Sequence, residues 1–296
     1  RREGTRRPRP KPGQLLRNRR PSSERRLDAL AAVHGRRHAE EIGLKGNFSI
    51  LDREDSANLF DACTTEYRGV PKDPFFPKGG VLRDVWSYSI NTGSSIEEVV
   101  LNRYGSFRDR LREIEKVCNR YCDRKYEINV LDFDDLLTCL LRLLEESPKI
   151  RERYQEQFRH ILVDEYQDIN KLQGRLIDLL AEGHRNLMVV GDDAQSIYSF
   201  RGADPTNILD FPKRYSDASI FRLEFNYRSS PEILELANAS ISVNTHQFKK
   251  RLRAEKQSGE IPAVVPVRDV MQQADFVCQR ISELRDEGMP LDEIGV

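Results

Sequence analysis

Residues 160–168 read HILVDEYQD, the end of a short apolar run (Phe158 to Val163) that delivers Asp164 and Glu165 together. A run of this length predicts a strand. Residues 170–182 then place Leu172, Leu176, Leu179 and Leu180 at i, i+4, i+7 and i+8, the spacing of an amphipathic helix. Residues 186–190 (NLMVV) predict a second buried strand that ends in Gly191-Asp192. Strand, helix and strand with short joints make a βαβ unit, so the sheet is expected to be parallel and covered on both faces. Ligands of such sheets bind at the carboxyl ends of strands, and both acidic pairs fall there. The expected fold class is α/β, with a nucleotide-binding type of core.

The chemistry of those ends is specific. Asp164 can hold Mg²⁺ directly or through water, and Glu165 can polarise a water that attacks a γ-phosphate. A strand ending in a merely solvated acidic turn has the same sequence. At the second strand end, Gln195 stands where a sensor of the same phosphate would sit. Next come Tyr198, Phe200 and Arg201 in the stretch IYSFRGA (197–203). Two aromatics beside a cation suit stacking on unpaired bases and gripping a phosphate. Their spacing suits two core aromatics equally well.

Three stretches in order carry a resemblance: DEYQD (164–168), GDDAQSIYSFRGA (191–203) and LEFNYRSSPEIL (223–234). They resemble motifs II, III and IV of the UvrD/Rep/PcrA group of superfamily 1 DNA helicases. IGLKGNFSILDRED (42–55) and LDFDDLL (131–137) are similar to segments of that family's first domain. The resemblance covers about residues 36–296. It implies a RecA-like (P-loop NTPase-like) parallel sheet, ATP and Mg²⁺ as cofactors, and 3′-to-5′ movement on single-stranded DNA or at a single-strand/duplex junction. By position it implies Asp164 as the Mg²⁺ ligand and Glu165 as the catalytic base. Gln167 and Asp168 would link the ATP site to neighbouring motifs, and Gln195 would sense the γ-phosphate. Tyr198, Phe200 and Arg201 would contact DNA; Phe200 stands where relatives often carry Trp, a larger stacking face. Tyr227 would stack on adenine, Asn226 would support it, and Arg228 would be an arginine finger, since its planar fork matches a phosphate and keeps its charge.

The implied organisation is a first motor domain from residues 34–55 and 129–220, a helical insertion at 56–128 and the start of a second motor domain at 221–296. Repair or replication proteins are the implied partners, and a bacterial-type cytoplasmic, nucleoid-associated location follows from the same resemblance. One departure stands out. A P-loop requires G-x-x-x-x-G-K-[ST], whose backbone N–H groups and Lys hold the phosphates, and the 296 residues contain no Gly-Lys pair. Motifs V and VI are absent as well. The chain is therefore expected to be a fragment that hydrolyses ATP poorly or not at all by itself. The alternatives are an inactive remnant that binds DNA or a partner protein, or a piece that complements a separately encoded P-loop.

The remaining composition narrows the field. A length of 296 residues suggests about two domains at ~150 residues each. No apolar run approaches the ~18 residues of a membrane span, and no apolar segment follows the basic N-terminus as in a signal peptide. Five cysteines are an odd, sparse set that fits a reducing compartment, and Cys118 and Cys122 lack a second pair at zinc spacing. The net charge of zero conceals a division: residues 1–37 hold thirteen basic and three acidic residues, so the rest of the chain is acidic overall. Residues 1–33, rich in Arg and Pro, are expected to be a disordered or foreign segment, or else a basic arm that touches phosphates. Lys249, Lys250, Arg251 and Arg253 form a second basic cluster, either a DNA-backbone contact or a solvated helix face.

Overall fold

The computed structural model describes residues 23–67 and 75–296. The chain divides into two units, one running through Ser219 and the other spanning Ile220–Val296.

In the first unit, helix α1 (Ser23–Arg37) packs against α6 (Phe133–Glu146). Strand β1 (Ser49–Ile50) pairs in parallel with β2 (Val130–Leu131). Helices α2 (Arg53–Glu66), α3 (Gly79–Thr92), α4 (Ile96–Arg103) and α5 (Leu111–Glu127) lie between those strands in sequence. After α6 come α7 (Pro148–Gln157), β3 (Ile161–Val163), α8 (Lys171–Ala181) and β4 (Leu187–Val189), with β3 and β4 parallel. Two short helices, α9 (Thr206–Leu209) and α10 (Phe211–Arg214), follow.

Local signals explain where these helices start. Asp52 caps α2 by accepting from Glu54 N and Asp55 N, both at 2.8 Å. Ser95–Glu98, Asp132–Asp135 and Asn170–Gln173 each close a reciprocal capping box, at α4, α6 and α8 respectively. Each box satisfies two of the backbone donors that a helix start leaves without partners.

The first unit has two apolar cores. One gathers Ala31, Phe48, Leu136, Leu140, Leu144, Tyr154, Leu176 and Leu180 around α6. The other lies within α2–α5, where Phe60 and Tyr121 stack with ring centroids 3.8 Å apart among Leu82, Val100, Ile114 and Val117. A buried ionic cluster joins them: Lys125 Nζ lies 2.6 Å from both Asp132 Oδ2 and Asp135 Oδ2, and Tyr121 donates to Asp132 at 2.9 Å. Two carboxylate partners for one ammonium offset much of its desolvation.

Two expectations change, and the helical insertion gains detail. The segment 1–33 does not end where its composition suggests: α1 begins at Ser23, Ala31 is fully buried, and His34 meets the Tyr154 hydroxyl at 2.6 Å. Leu27, Leu30 and Ala31 at helical spacing give this piece enough apolar surface to order; residues 1–22 lie outside the described residues. The helical insertion is interrupted in its middle, where α4 stops at Arg103 and a 3-10 turn (Gly105–Arg110) precedes α5. The sheet is neither large nor covered on both faces. It consists of two-stranded parallel pairs, and on β3–β4 Leu162 and Met188 are 72% and 56% exposed while Val163 points into the core. The α/β class therefore stands in a mostly helical form.

In the second unit β5 (Phe225–Asn226) pairs in parallel with β6 (Arg253–Ala254), α11 (Pro231–Ile241) packs against β6, and α12 (Val270–Asp286) follows in sequence. No helix among the described residues is long and apolar enough to cross a membrane.

Candidate functional site

The acidic end of β3 is held from behind and open in front. Tyr166 is fully buried, its ring edge-on to Phe211, and its hydroxyl accepts from Arg214 at 3.0 Å. Arg214 also pairs with Asp178 at 2.6 Å, and Tyr215 donates to the same carboxylate at 2.8 Å. Burial raises the Tyr166 phenol above its usual range. On the open side Asp164 and Glu165 are both exposed. Glu165 adopts φ +54°, a left-handed backbone uncommon outside glycine. Such strain persists only where neighbours over-determine it, and it concentrates at functional sites.

Gln167 is the neighbour that does so. It is 1% exposed, its Nε2 donates to Glu165 Oε2 at 2.8 Å, and its Oε1 accepts from Asp192 N at 3.0 Å. One buried amide thus fixes the carboxylate at the first strand end and the backbone at the second. Gly191 is required by this closeness: a Cβ there would lie 2.6 Å from Gln167 Oε1 and 3.2 Å from Tyr166 N. Asp192 then caps the turn that follows, accepting from Ala194 N at 3.0 Å and from Gln195 Nε2 at 2.9 Å. Asp168 is half-buried beside this network.

Beyond it Tyr198, Phe200 and Arg201 form an exposed group. The two rings are 5.9 Å apart, and the Arg201 guanidinium lies 5.3 and 5.4 Å from their centroids. Phe200 is 55% exposed, so the alternative of two core aromatics does not hold for this loop. Stacking faces and a cation are presented together to solvent. Tyr227 and Arg228 belong to the second unit, where both are exposed and Asn226 Oδ1 accepts from Arg228 N at 2.9 Å and Ser229 N at 2.8 Å.

Sequence patterns missed two parts of this arrangement. The Tyr166–Arg214–Asp178 support links residues up to 48 apart in sequence, with no local spacing to signal it. The left-handed Glu165 has no residue-type signature, because glycine is the usual marker and glutamate is not.

Residues 26–216 match the family model of the UvrD/REP helicase N-terminal domain, and residues 221–296 match that of the UvrD-like helicase C-terminal domain. The chain belongs to the UvrD/REP helicase family. It is 36% identical over 261 residues to the ATP-dependent DNA helicase PcrA of Bacillus subtilis, covering 86% of this chain and 33% of that protein. DNA helicase II of Haemophilus influenzae is 35% identical over 262 residues, covering 88% of this chain and 35% of the relative. ATP-dependent DNA helicase UvrD1 of Mycobacterium leprae is 35% identical over 265 residues, with 86% and 34% covered. The chain thus spans about a third of the length of these UvrD/REP relatives.

The family implies ATP and Mg²⁺, and the residues fit the two unequally. Asp164 offers an exposed hard oxygen donor at a strand end, which suits Mg²⁺; that ion needs only one or two carboxylates beside phosphate oxygens and water. Among the described residues no cluster of three or more His, Cys, Asp or Glu forms a protein-only metal cage. The triphosphate fits less well, because no Gly-Lys pair exists to cradle it.

Proposed function

We propose that this chain carries the central part of a UvrD-type helicase motor, in which an ATP-hydrolysing strand end is coupled to 3′-to-5′ movement along single-stranded DNA. The bridge through Gln167 carries this reading, because it ties Glu165 to the backbone that leads directly into the exposed Tyr198–Phe200–Arg201 loop. The names of the relatives, all ATP-dependent DNA helicases or DNA helicase II, support it. In this reading residues 34–55 and 129–220 form the first motor domain, 56–128 an insertion and 221–296 the start of the second motor domain.

The roles follow from the chemistry of the side chains. Asp164 holds Mg²⁺, which when bound neutralises phosphate charge. Glu165, steadied by Gln167, orients a water and accepts its proton. Gln195 reports the state of the phosphate through its bond to Asp192. Tyr198 and Phe200 stack on bases, and Arg201 holds the DNA backbone. Tyr227 stacks on the adenine, and Arg228 supplies a permanent positive charge to the phosphate. Single-stranded DNA or a single-strand/duplex junction is the substrate, with repair or replication proteins as partners in a bacterial-type cytoplasm at the nucleoid.

The missing Gly-Lys pair favours a second reading for the 296 residues by themselves: DNA binding without ATP turnover. The deciding measurement is DNA-stimulated ATP hydrolysis by this chain beside Glu165→Gln, with oligothymidylate affinity measured in parallel. No turnover is expected, with binding weakened about tenfold or more by Phe200→Ala combined with Arg201→Ala, since base stacking on an aromatic contributes about 1–3 kcal/mol. Turnover that rises with DNA and vanishes in Glu165→Gln would mean that another segment holds the phosphates. Oligonucleotide affinity unchanged by the double variant would end the DNA-gripping role of the loop.

A further inference from the structure

The exposed loop meets the helices beside it at only part of its length. A cavity of about 560 Å³ opens between them, bordered by Tyr88, Asn91, Arg103, Phe200 and Arg201. Few contacts cross it, and they converge on the end of α3. Asn91, in the last turn of α3, is 8% exposed and uses both ends of its amide. Its Nδ2 donates to Ser87 O at 2.9 Å, Ser87 Oγ at 3.2 Å and Asp134 Oδ1 at 2.9 Å. Its Oδ1 accepts from Asn170 Nδ2 at 2.6 Å.

Asn170 lies at a junction. It caps α8 two residues after Asp168, and it forms an isolated antiparallel bridge with Ala203, the residue that ends the aromatic loop. Asp204 N continues the pairing by donating to Ile169 O at 3.1 Å. The neighbouring Gly202 takes φ +90°, and a Cβ there would come within 3.1 Å of Asn91 Cβ and 3.3 Å of Thr92 Cγ2. The loop therefore turns back against Asn91 at a place where only glycine fits without strain. A second tie comes from α4: Arg103 Nη1 donates to Phe200 O at 3.4 Å while its guanidinium lies 4.0 Å over the Tyr88 ring. Burial holds the Asp134 carboxyl above its usual range, with the nearby Asp132 charge adding to this.

We propose that Asn91 is a positioning residue for the DNA-gripping loop: through Asn170 and Gly202 it fastens the exit of DEYQD and the exit of the aromatic loop to the helical insertion, with Arg103 as a second anchor. The proposal rests on the role given above to Tyr198, Phe200 and Arg201. Movement of α3 and α4 would therefore be felt at both strand ends at once, and loop displacement would be felt by the insertion.

The test combines hydrogen exchange with oligothymidylate affinity in the full 296-residue chain. Asn91→Ala is expected to speed amide exchange in residues 198–204 while α6 and α8 keep wild-type protection, and to weaken oligonucleotide binding about fivefold, the effect of one net hydrogen bond. Arg103→Ala, at an exposed position that does not threaten folding, should give a smaller change in the same loop. Wild-type exchange at 198–204 in Asn91→Ala and in Arg103→Ala would overturn the proposal. So would exchange that rises equally through α3, α6 and α8 in Asn91→Ala. If Phe200→Ala with Arg201→Ala leaves binding intact, the DNA role fails separately, and the exchange pattern still decides whether Asn91 positions the loop.

Discussion

The two units differ in how much each buries. The first holds two apolar cores and a buried ionic cluster, whereas Leu234 alone represents the described residues of the second among the buried apolar side chains. Phe221, Leu223 and Val264 of the second unit are 85%, 81% and 94% exposed. Stability scales with apolar area removed from water, so the first unit is expected to be a cooperative body and the second a loosely held one. The functional reading is divided along the same line. Asp164, Glu165 and the aromatic loop stand on the well-buried unit, and Tyr227 and Arg228 stand on the other.

The largest effect should come from Lys125→Ala, which leaves Asp132 and Asp135 buried without their cation. Breaking a buried pair from one side costs about 3–5 kcal/mol. The chain's one tryptophan makes this measurable, because Trp86 lies in the first unit with its ring 5.6 Å from Lys125 Nζ. Urea unfolding followed by Trp86 emission should shift strongly in this variant. A shift under about 1 kcal/mol would show that the cluster does not join the two cores.

Leu234→Ala tests the other side of the contrast. A buried leucine with few buried neighbours should cost about 2 kcal/mol, the low end of its range. That loss should appear in far-UV circular dichroism and in hydrogen exchange of α11, with the Trp86 transition unmoved. A coincident shift in both signals would mean that the two units unfold as one and would erase the comparison.

The smallest effect concerns pH within the first unit. Burial is the main cause that holds the His34 pKa below the ordinary imidazole value of 6.5, and neighbouring Arg37, His38 and Arg153 add to it. A folded pKa below the unfolded one means the unfolded chain binds the extra proton first. Stability from this group is complete above pH 6.5 and declines as pH falls through that value toward the lower folded pKa. Chemical unfolding of the first unit at pH 7.5 and 5.5 should show the loss, and His34→Gln should abolish the difference. An unchanged pH dependence in His34→Gln would place its origin elsewhere.

Much of this was readable because it is local. The strand that delivers Asp164-Glu165 and the leucine spacing of α8 each depend on residues within a few turns. Three motifs in order were enough to identify the family, because their chemistry is concentrated in short stretches. The reach of α1 back to Ser23 was hidden by the Arg/Pro composition of the preceding residues. Its order depends on partners more than 100 positions away, such as Tyr154 against His34.

The sequence by itself determined the α/β class, the acidic strand ends, the loop that carries two aromatics and an arginine, and the lack of a Gly-Lys pair. Those are matters of residue type at short spacing, where backbone geometry leaves few choices. Only the tertiary structure decided that Tyr198 and Phe200 face solvent, that Leu162 and Met188 lie uncovered, that Glu165 is left-handed, and that Gln167 and Asn91 tie distant segments together. Burial and hydrogen-bond partners at long range depend on which surfaces meet, and no spacing along the chain records that meeting.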